Sequence, residues 1–417
     1  ALQPDGKIVV AGVAVTSTRD NDFAVARYNP NGSVDTSFGG TGTITINISG
    51  RVASTDWARG VVVQADGKIV VVGYTQASGS LSSGVAIVRL KADGTLDPTF
   101  GVSGVLTSVD SVKNKMAHAV ALQRDGKIVI AGSVNCISRY VAGYCTLVER
   151  YNTDGSRDGT FSGPGVDLVD DATLGAQGLV LQGDGKIVVV GTQNRGNGNE
   201  LSVARYGANG SIDATFGQSG VSMVPIGMDV GSSNTGTSIA LQADGKIVVA
   251  GEAHTDAANN HFSVTRLLSS GAVDTGFGNA GSVVTNVAVP PESDYPWVVS
   301  VQPDGKILLA GERTIARTNP WPLPGVYRAA NVDFAAVRYT AAGTLDALFG
   351  VGGIVTTDVR SFEDRVHAMA VQADGSIVFA GESFINDSSN TSGGYTSFSL
   401  VRVKSNGSLD AGFGSGH

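Results

Sequence analysis

Cysteine is nearly absent from this chain of 417 residues: Cys136 and Cys145 are the whole complement, too few for a disulfide framework or a thiolate metal centre. Charge is also sparse, at 16% of residues, and no run of Lys and Arg occurs. The net charge of −8 is spread along the chain, which argues against nucleic acid or an anionic membrane as the main partner. No apolar stretch approaches the ~18 residues that a membrane span requires. There is no Gly-x-Ser-x-Gly elbow, no HExxH and no phosphate-binding loop, so the commonest local signatures of hydrolases, metalloproteases and nucleotide enzymes are missing. The chain starts at Ala1 without Met or a signal peptide, which reads as a processed, trimmed or partial product, and His417 after Gly-Ser-Gly reads as the stub of a tag.

What is plentiful is glycine, with 57 residues, on a background that is 42% hydrophobic. That combination points to a globular chain with many tight turns. The turns repeat. Gln-x-Asp-Gly-Lys followed by an apolar run occurs as LQPDGKIVVAG, VQADGKIVVVG, LQRDGKIVIAG, LQGDGKIVVVG, LQADGKIVVAG, VQPDGKILLAG and VQADGSIVFAG. The turn aspartates are Asp5, Asp66, Asp125, Asp184, Asp244, Asp304 and Asp374, at spacings of 61, 59, 59, 60, 60 and 70. Asp-Gly between two apolar runs predicts a hairpin with a type I′ turn, joining a strand a (such as GVVVQ) to a strand b (such as KIVVVG).

A second signal follows each hairpin, as in FAVARYNPNGSVDTSFG. Arg27, Arg89, Arg150, Arg205, Arg266, Arg338 and Arg402 each precede an aspartate by eight positions: Asp35, Asp97, Asp158, Asp213, Asp274, Asp346 and Asp410. Phe38, Phe100, Phe161, Phe216, Phe277, Phe349 and Phe413 come three residues later. This predicts a strand c, a glycine turn and an aromatic anchor, then an alternating outer strand d such as GTITINI. Strand a is almost continuously apolar, which predicts burial on both faces. Because the Arg, Asp and Phe recur in every copy, they are expected to be structural, the Arg pairing with its Asp or with carbonyls across a junction. The expected fold is therefore all-β: one seven-bladed β-propeller of four-stranded antiparallel blades over residues 1–417, rather than a linear solenoid of shorter coils. Seven copies of a, b and c accompany six of d, so one blade is expected to be incomplete, with its strand supplied upstream of Ala1.

The QxDGKIVVAG run with the R-x4-G-x2-D-x2-FG run resembles the bacterial delta-60 repeat, a propeller-type domain of unassigned function. The resemblance covers nearly the whole chain and departs at Ser376, where the other copies have Lys. It implies a large exported bacterial protein and brings no catalytic residues.

Sites are sought where the copies differ. The a–b and c–d turns are uniform, whereas the b–c and d–a loops are individual, so the long-loop face is the expected binding face. Five residues before each Gln stand Arg59, His118, Gln177, Thr237, Trp297 and His367, a ring of polar and aromatic side chains rather than a repeated packing residue, expected at a channel mouth. The longest insertion, from Arg313 to Asp333, adds Arg317, Trp321, Tyr327 and Arg328, stiffened by Pro320, Pro322 and Pro324. Aromatics beside Arg suit stacking on sugars or a protein hot spot. His254, Asp256 and His261 could ligate zinc but have no fixed spacing, and the NPNGSVD-type turns follow from turn chemistry without calcium, so no metal is expected. No cofactor is expected either. His118 and His367 with Glu363 or Asp364 are the acid/base candidates. Cys136 and Cys145 flank the third b–c loop and are expected to form a disulfide contributing at most ~3 kcal/mol. The expected function is an exported, non-enzymatic, monomeric scaffold, secreted or at the cell surface, binding a glycan, polar small molecule or protein. The alternative is a carbohydrate-active enzyme, a polysaccharide lyase or glycosidase, on the same face, by analogy of fold.

Overall fold

The computed structural model describes the chain except residues 18–19, 51–53, 78, 81, 110–113, 138–141, 162–172, 195–198, 225, 227–233, 255–258, 289–291, 316–330, 360–362, 386–394 and 415–417. Every regular element among the described residues is a strand. The first two repeats give β1 (Ile8–Ser17), β2 (Asp20–Tyr28), β3 (Thr43–Ile46), β4 (Thr55–Val63), β5 (Ile69–Gln76), β6 (Gly84–Leu90) and β7 (Val105–Ser108), all in one seven-stranded sheet. The third gives β8 (Lys115–Leu122), β9 (Ile128–Ile137) and β10 (Ala142–Tyr151) in a sheet of three. Three four-stranded meanders follow. They are β11 (Thr173–Leu181), β12 (Ile187–Asn194), β13 (Asn199–Tyr206) and β14 (Val221–Val224); β15 (Thr235–Leu241), β16 (Ile247–His254), β17 (Asn260–Leu267) and β18 (Ser282–Thr285); and β19 (Asp294–Val301), β20 (Ile307–Ile315), β21 (Asn331–Tyr339) and β22 (Ile354–Thr357). The last sheet has β23 (Asp364–Val371), β24 (Ile377–Ile385) and β25 (Tyr395–Val403).

The expectation of seven separate blades is thereby corrected: five sheets stand apart as blades, and the strands of the first two repeats run together. The reason is local. Asn21 pairs with Thr55 in a parallel bridge between β2 and β4. Beside it the buried Asp20 Oδ1 accepts from the Ser54 N–H at 3.0 Å, and the Ser54 carbonyl accepts from the Asn21 N–H. The chain divides into two compact units: unit 1 is Ala1–Arg195, Ser202–Ser222 and Gly414–His417; unit 2 is Gly196–Leu201 and Met223–Phe413.

Two further expectations are corrected at the level of strands. Strand a is only half-buried, as β4 and β8 show, while strands b and c, such as β5 and β6, are buried almost throughout. The inner strand pairs on one side only, so its apolar residues meet fewer neighbours. The Asp-Gly hairpins are not type I′, because Gly67 takes φ 83° while Asp66 stays at negative φ. The Gly67 N–H donates to Gln64 O and the Gln64 N–H to Lys68 O, which is a type I turn closed by a left-handed glycine bulge.

The repeated Arg, Asp and Phe do form the junctions. Arg338 Nε donates to Asp346 Oδ2 at 2.8 Å, its guanidinium lies 4.4 Å from the Phe349 ring centroid, and its Nη1 donates to Ser405 O in the next repeat. Arg27, Arg89, Arg150 and Arg266 reach forward to Ala92, Thr153, Ala208 and Ala341 in the same way. Lys127 and Thr160 hold the Asp158 carboxyl well below the usual carboxylate range. Cys136 and Cys145 are joined by a disulfide between β9 and β10, with Cα atoms 5.8 Å apart and Cys145 in the core of unit 1.

Candidate functional site

Strand a carries the same irregularity in six repeats. The ladder to strand b skips one residue between Ala58 and Gly60, Ala117 and Ala119, Ala176 and Gly178, Gly236 and Ser238, Pro296 and Val298, and Val366 and Ala368. The skipped residues are Arg59, His118, Gln177, Thr237, Trp297 and His367, the set singled out from the sequence. Each is the extra residue of a β-bulge, a device that re-aims one side chain and twists the strand. Opposite each bulge stands a glycine of strand b: Gly73, Gly132, Gly191, Gly251, Gly311 or Gly381. A Cβ there would come within 1.7–2.3 Å of a carbonyl oxygen of strand a. The last residue of the AG or VG signature is therefore glycine because the bulged backbone occupies the space of its side chain.

In unit 1, Arg59 and Gln177 are exposed and His118 is half-buried. Arg59 lies over the Trp57 ring at 5.0 Å, and Trp57 stacks on Tyr74. His118 Nδ1 is 3.0 Å from the Ala176 carbonyl, so that nitrogen carries the proton. Burial, with Arg59 adding to it, pushes His118 below its ordinary pKa and keeps the ring neutral.

Unit 2 holds the denser group. Trp297 and His367, both exposed, face each other with ring centroids 6.3 Å apart. His367 Nε2 lies 3.6 Å from Glu382 Oε1. Arg365 Nε is 3.6 Å from Glu312 Oε2, and its Nη2 donates to Glu363 at 3.3 Å. Burial pushes Glu312 up to about 6, and the carboxylates of Glu382 and Glu363 push the same way. The hydrogen bond with His367 draws Glu382 down. Glu252, one repeat earlier, is also raised by burial. The sequence carries a signal for these acids: repeats five to seven read AGE where the earlier repeats place Val13, Tyr74, Ser133 and Thr192 after the glycine.

The raised Glu312 makes a testable statement about pH. A carboxyl whose folded pKa exceeds its unfolded one binds protons more readily when folded, so its contribution is full below about 4.5 and is lost as pH rises through about 6. Replacing it by Gln is expected to remove about 2 kcal/mol of that loss. Urea unfolding of wild type and Glu312→Gln at pH 4.5 and 7.5 checks this. A stability difference that stays constant across the range contradicts it.

The other candidates fare differently. Trp321, Tyr327, Arg317, Arg328 and Asp256 lie outside the described residues. His254 and His261 stand on adjacent strands, and His261 Nδ1 is 4.0 Å from the buried Asp294, which burial raises to about 6. Asp364 is wholly buried rather than placed for acid/base work, and accepts from the Val359 N–H at 2.7 Å. Asp56 and Asp294 accept from Ile48 and Val287 in the same way, so the three clamp the d–a connections. Asp333, Asp358 and Asp364 come together, and Arg313 meets Asp333 at 3.0 Å. The turn residues Asn31, Asp93 and Asp154 accept from the Ser33, Thr95 and Ser156 N–H groups, which is Asx-turn bonding.

The sequence profile of the "domain of unknown function (DUF5122) beta-propeller" family matches residues 3–38, 64–100, 123–161, 182–216, 242–277, 302–320 and 372–413. The chain belongs to this DUF5122 β-propeller family. That confirms a propeller repeat family, while delta-60 stays a resemblance. No curated protein matches the sequence. Among solved structures the chain is similar to a Lactobacillus plantarum protein at 13% identity, covering 97% of each chain with a TM-score of 0.45. It is also similar to a Pseudomonas aeruginosa periplasmic gluconolactonase at 15% identity, covering 97% of this chain and 99% of that one, TM-score 0.45. A polysaccharide lyase matches at 11% identity over 84% and 80%, TM-score 0.46. Likenesses this distant assign no activity to a DUF5122 chain. Among the described residues no helix is long and apolar enough to cross a membrane.

Proposed function

We propose that this DUF5122 protein is an exported binding scaffold whose ligand is a glycan, held in unit 2 at the bulged Trp297 and His367. The observation that carries the reading is the contrast at the bulge: the opposing glycine and the flanking ladder repeat, while the bulged residue is no single repeated packing residue but Arg, His, Gln, Thr, Trp and His in turn. A structural role would reuse one packing residue there, as the junction Arg and Phe are reused. Trp297 offers a face for the C–H side of a sugar ring, and Arg365, His367, Glu312 and Glu382 supply donors and acceptors for hydroxyls. The disulfide suits an oxidising compartment. A glycan array would name the sugar. Trp297→Ala and His367→Ala are each expected to weaken its binding at least about tenfold, ~1.4 kcal/mol, while leaving the unfolding midpoint unchanged. Unaltered affinity in both variants would reject the site.

A second reading rests on one further observation. Glu312 is raised and Glu382 lowered, and two carboxyls driven apart in this way are suited to act as acid and base. On that reading the site is a polysaccharide lyase or glycosidase, with Glu312 donating a proton and Glu382 or His367 accepting one. Release of unsaturated or reducing ends from the bound glycan, abolished in Glu312→Gln, separates the enzyme from the pure binder.

A further inference from the structure

We infer that the ligand held at Trp297 and His367 is a cationic glycan, one whose sugar rings carry amino groups, rather than a neutral or uronic one. The inference rests on the glycan site proposed above and adds the charge that its ligand brings.

That charge is set by one strand position. Glu312 and Glu382 each follow the glycine that faces a bulge, Gly311 or Gly381, so the ladder itself carries a carboxylate to the site. Glu252 stands at the same position one repeat earlier. The repeats of unit 1 have Val13, Tyr74, Ser133 and Thr192 there, so this row of acids belongs to unit 2.

In unit 2 the acids outnumber the bases. Arg365 is shared between Glu312, 3.6 Å away, and Glu363, to which it donates at 3.3 Å. His367 lies 3.6 Å from Glu382. Even a protonated His367 therefore leaves Glu312, Glu363 and Glu382 against two cations. Glu312 is 6% exposed and its Oε2 accepts no hydrogen bond among the described residues, so that oxygen is offset through space alone. A buried carboxylate in this condition is stabilised by any positive charge brought near it.

A ligand can reach what remains open. Glu382 keeps 41% and His367 53% of its side-chain surface exposed, and Trp297 is exposed beside them. An ammonium-bearing sugar that covers Trp297 and extends past His367 to Glu382 gains a cation–π contact and the attraction of the carboxylates together. A neutral sugar gains neither. A uronate brings one more carboxylate to a group whose guanidinium is already engaged twice.

The test uses the whole protein and four oligosaccharides of equal length: glucosamine, N-acetylglucosamine, galacturonate, and N-trimethylglucosamine, whose charge no pH removes. Calorimetric titration is expected to show both cationic oligomers binding at least tenfold more tightly than the N-acetylated one, with galacturonate weakest. Glu382→Gln is expected to remove most of that tenfold preference while leaving the N-acetylated oligomer's affinity nearly unchanged. Trp297→Ala is the control for site, since a chain of net charge −8 attracts polycations to its surface without one. Cationic oligomers that bind no more tightly than the N-acetylated or galacturonate ones, or not at all, overturn the cationic assignment and leave the glycan site to the array. Affinities that Trp297→Ala does not change reject the site itself, and the assignment with it.

Discussion

Gly311→Ala is expected to destabilise the protein by about 3 kcal/mol and to abolish the glycan binding proposed at Trp297. The added Cβ would stand 2.0 Å from the Tyr295 carbonyl oxygen and 2.8 Å from Pro296 Cα, and both neighbours are backbone. No rotamer change relieves that clash. Strand β19 must either withdraw from β20, breaking ladder bonds, or lose its bulge, which slips the register by one residue. Such a slip turns each following side chain to the opposite face, Trp297 included. The loss of binding thus follows from the same atom as the loss of stability. Gly183→Ala is the control: that glycine sits in a turn with negative φ and no atom within 4 Å of a Cβ, so its substitution is expected to fall within about 0.5 kcal/mol of wild type. Urea unfolding and glycan titration of the two variants measure both effects. A Gly311→Ala protein as stable as Gly183→Ala would refute the steric account of the AG signature.

That signature shows how far this sequence could be read. Asp-Gly turns and the Arg, Asp and Phe register announce a four-stranded unit because they are chemical necessities of each turn and junction, and those necessities recur. The division into sheets was not legible. It depends on where one short bridge falls: Asn21–Thr55 lies within β2 and β4 and joins their sheets, whereas its counterpart Val332–Glu363 falls just outside β23 and leaves those two sheets apart. The turn type was misjudged because Asp-Gly suits both a type I′ turn and a type I turn with a glycine bulge, and only the bond from Gln64 to Lys68 decides. The bulges were legible in part. Counting back from Gln found the six odd residues, yet nothing in the one-dimensional pattern says that a residue is extra rather than alternating. The acids of unit 2 stand plainly in the sequence as AGE, but strand positions after a buried glycine look like core, and nothing in the linear pattern marks them as a cluster. Glu312 is indeed buried, and its interest comes from Arg365 and Glu382 reaching it from the next repeat, a juxtaposition only the fold creates.

The recurrent phenylalanine yields the largest effect expected. Phe349→Ala is expected to cost about 4 kcal/mol, whereas Phe413→Ala, the same substitution in the last repeat, is expected to cost less than half of that. Phe349 is fully buried in the core of unit 2, with the Arg338 guanidinium on one side and the glycine turn of the following repeat against its edge. A Cβ on Gly407 would lie 3.0 Å from the ring and 2.6 Å from the Gly350 nitrogen, and the Gly350 N–H donates to Asn406 O at 2.8 Å. The ring therefore fills a slot closed on every side, and truncation leaves a cavity that those bonds prevent from collapsing. It also strips Arg338 of its cation–π partner, worth about 0.5–2 kcal/mol, at a point where the same guanidinium ties Asp346 to Ser405. Phe413 keeps its arginine at 4.6 Å but is half-exposed, so less apolar surface returns to water when it is cut back. Equal losses at the two positions, read from denaturant midpoints at constant m-value, would mean that the recurrent ring acts through its arginine alone and not through the slot that the next repeat closes around it.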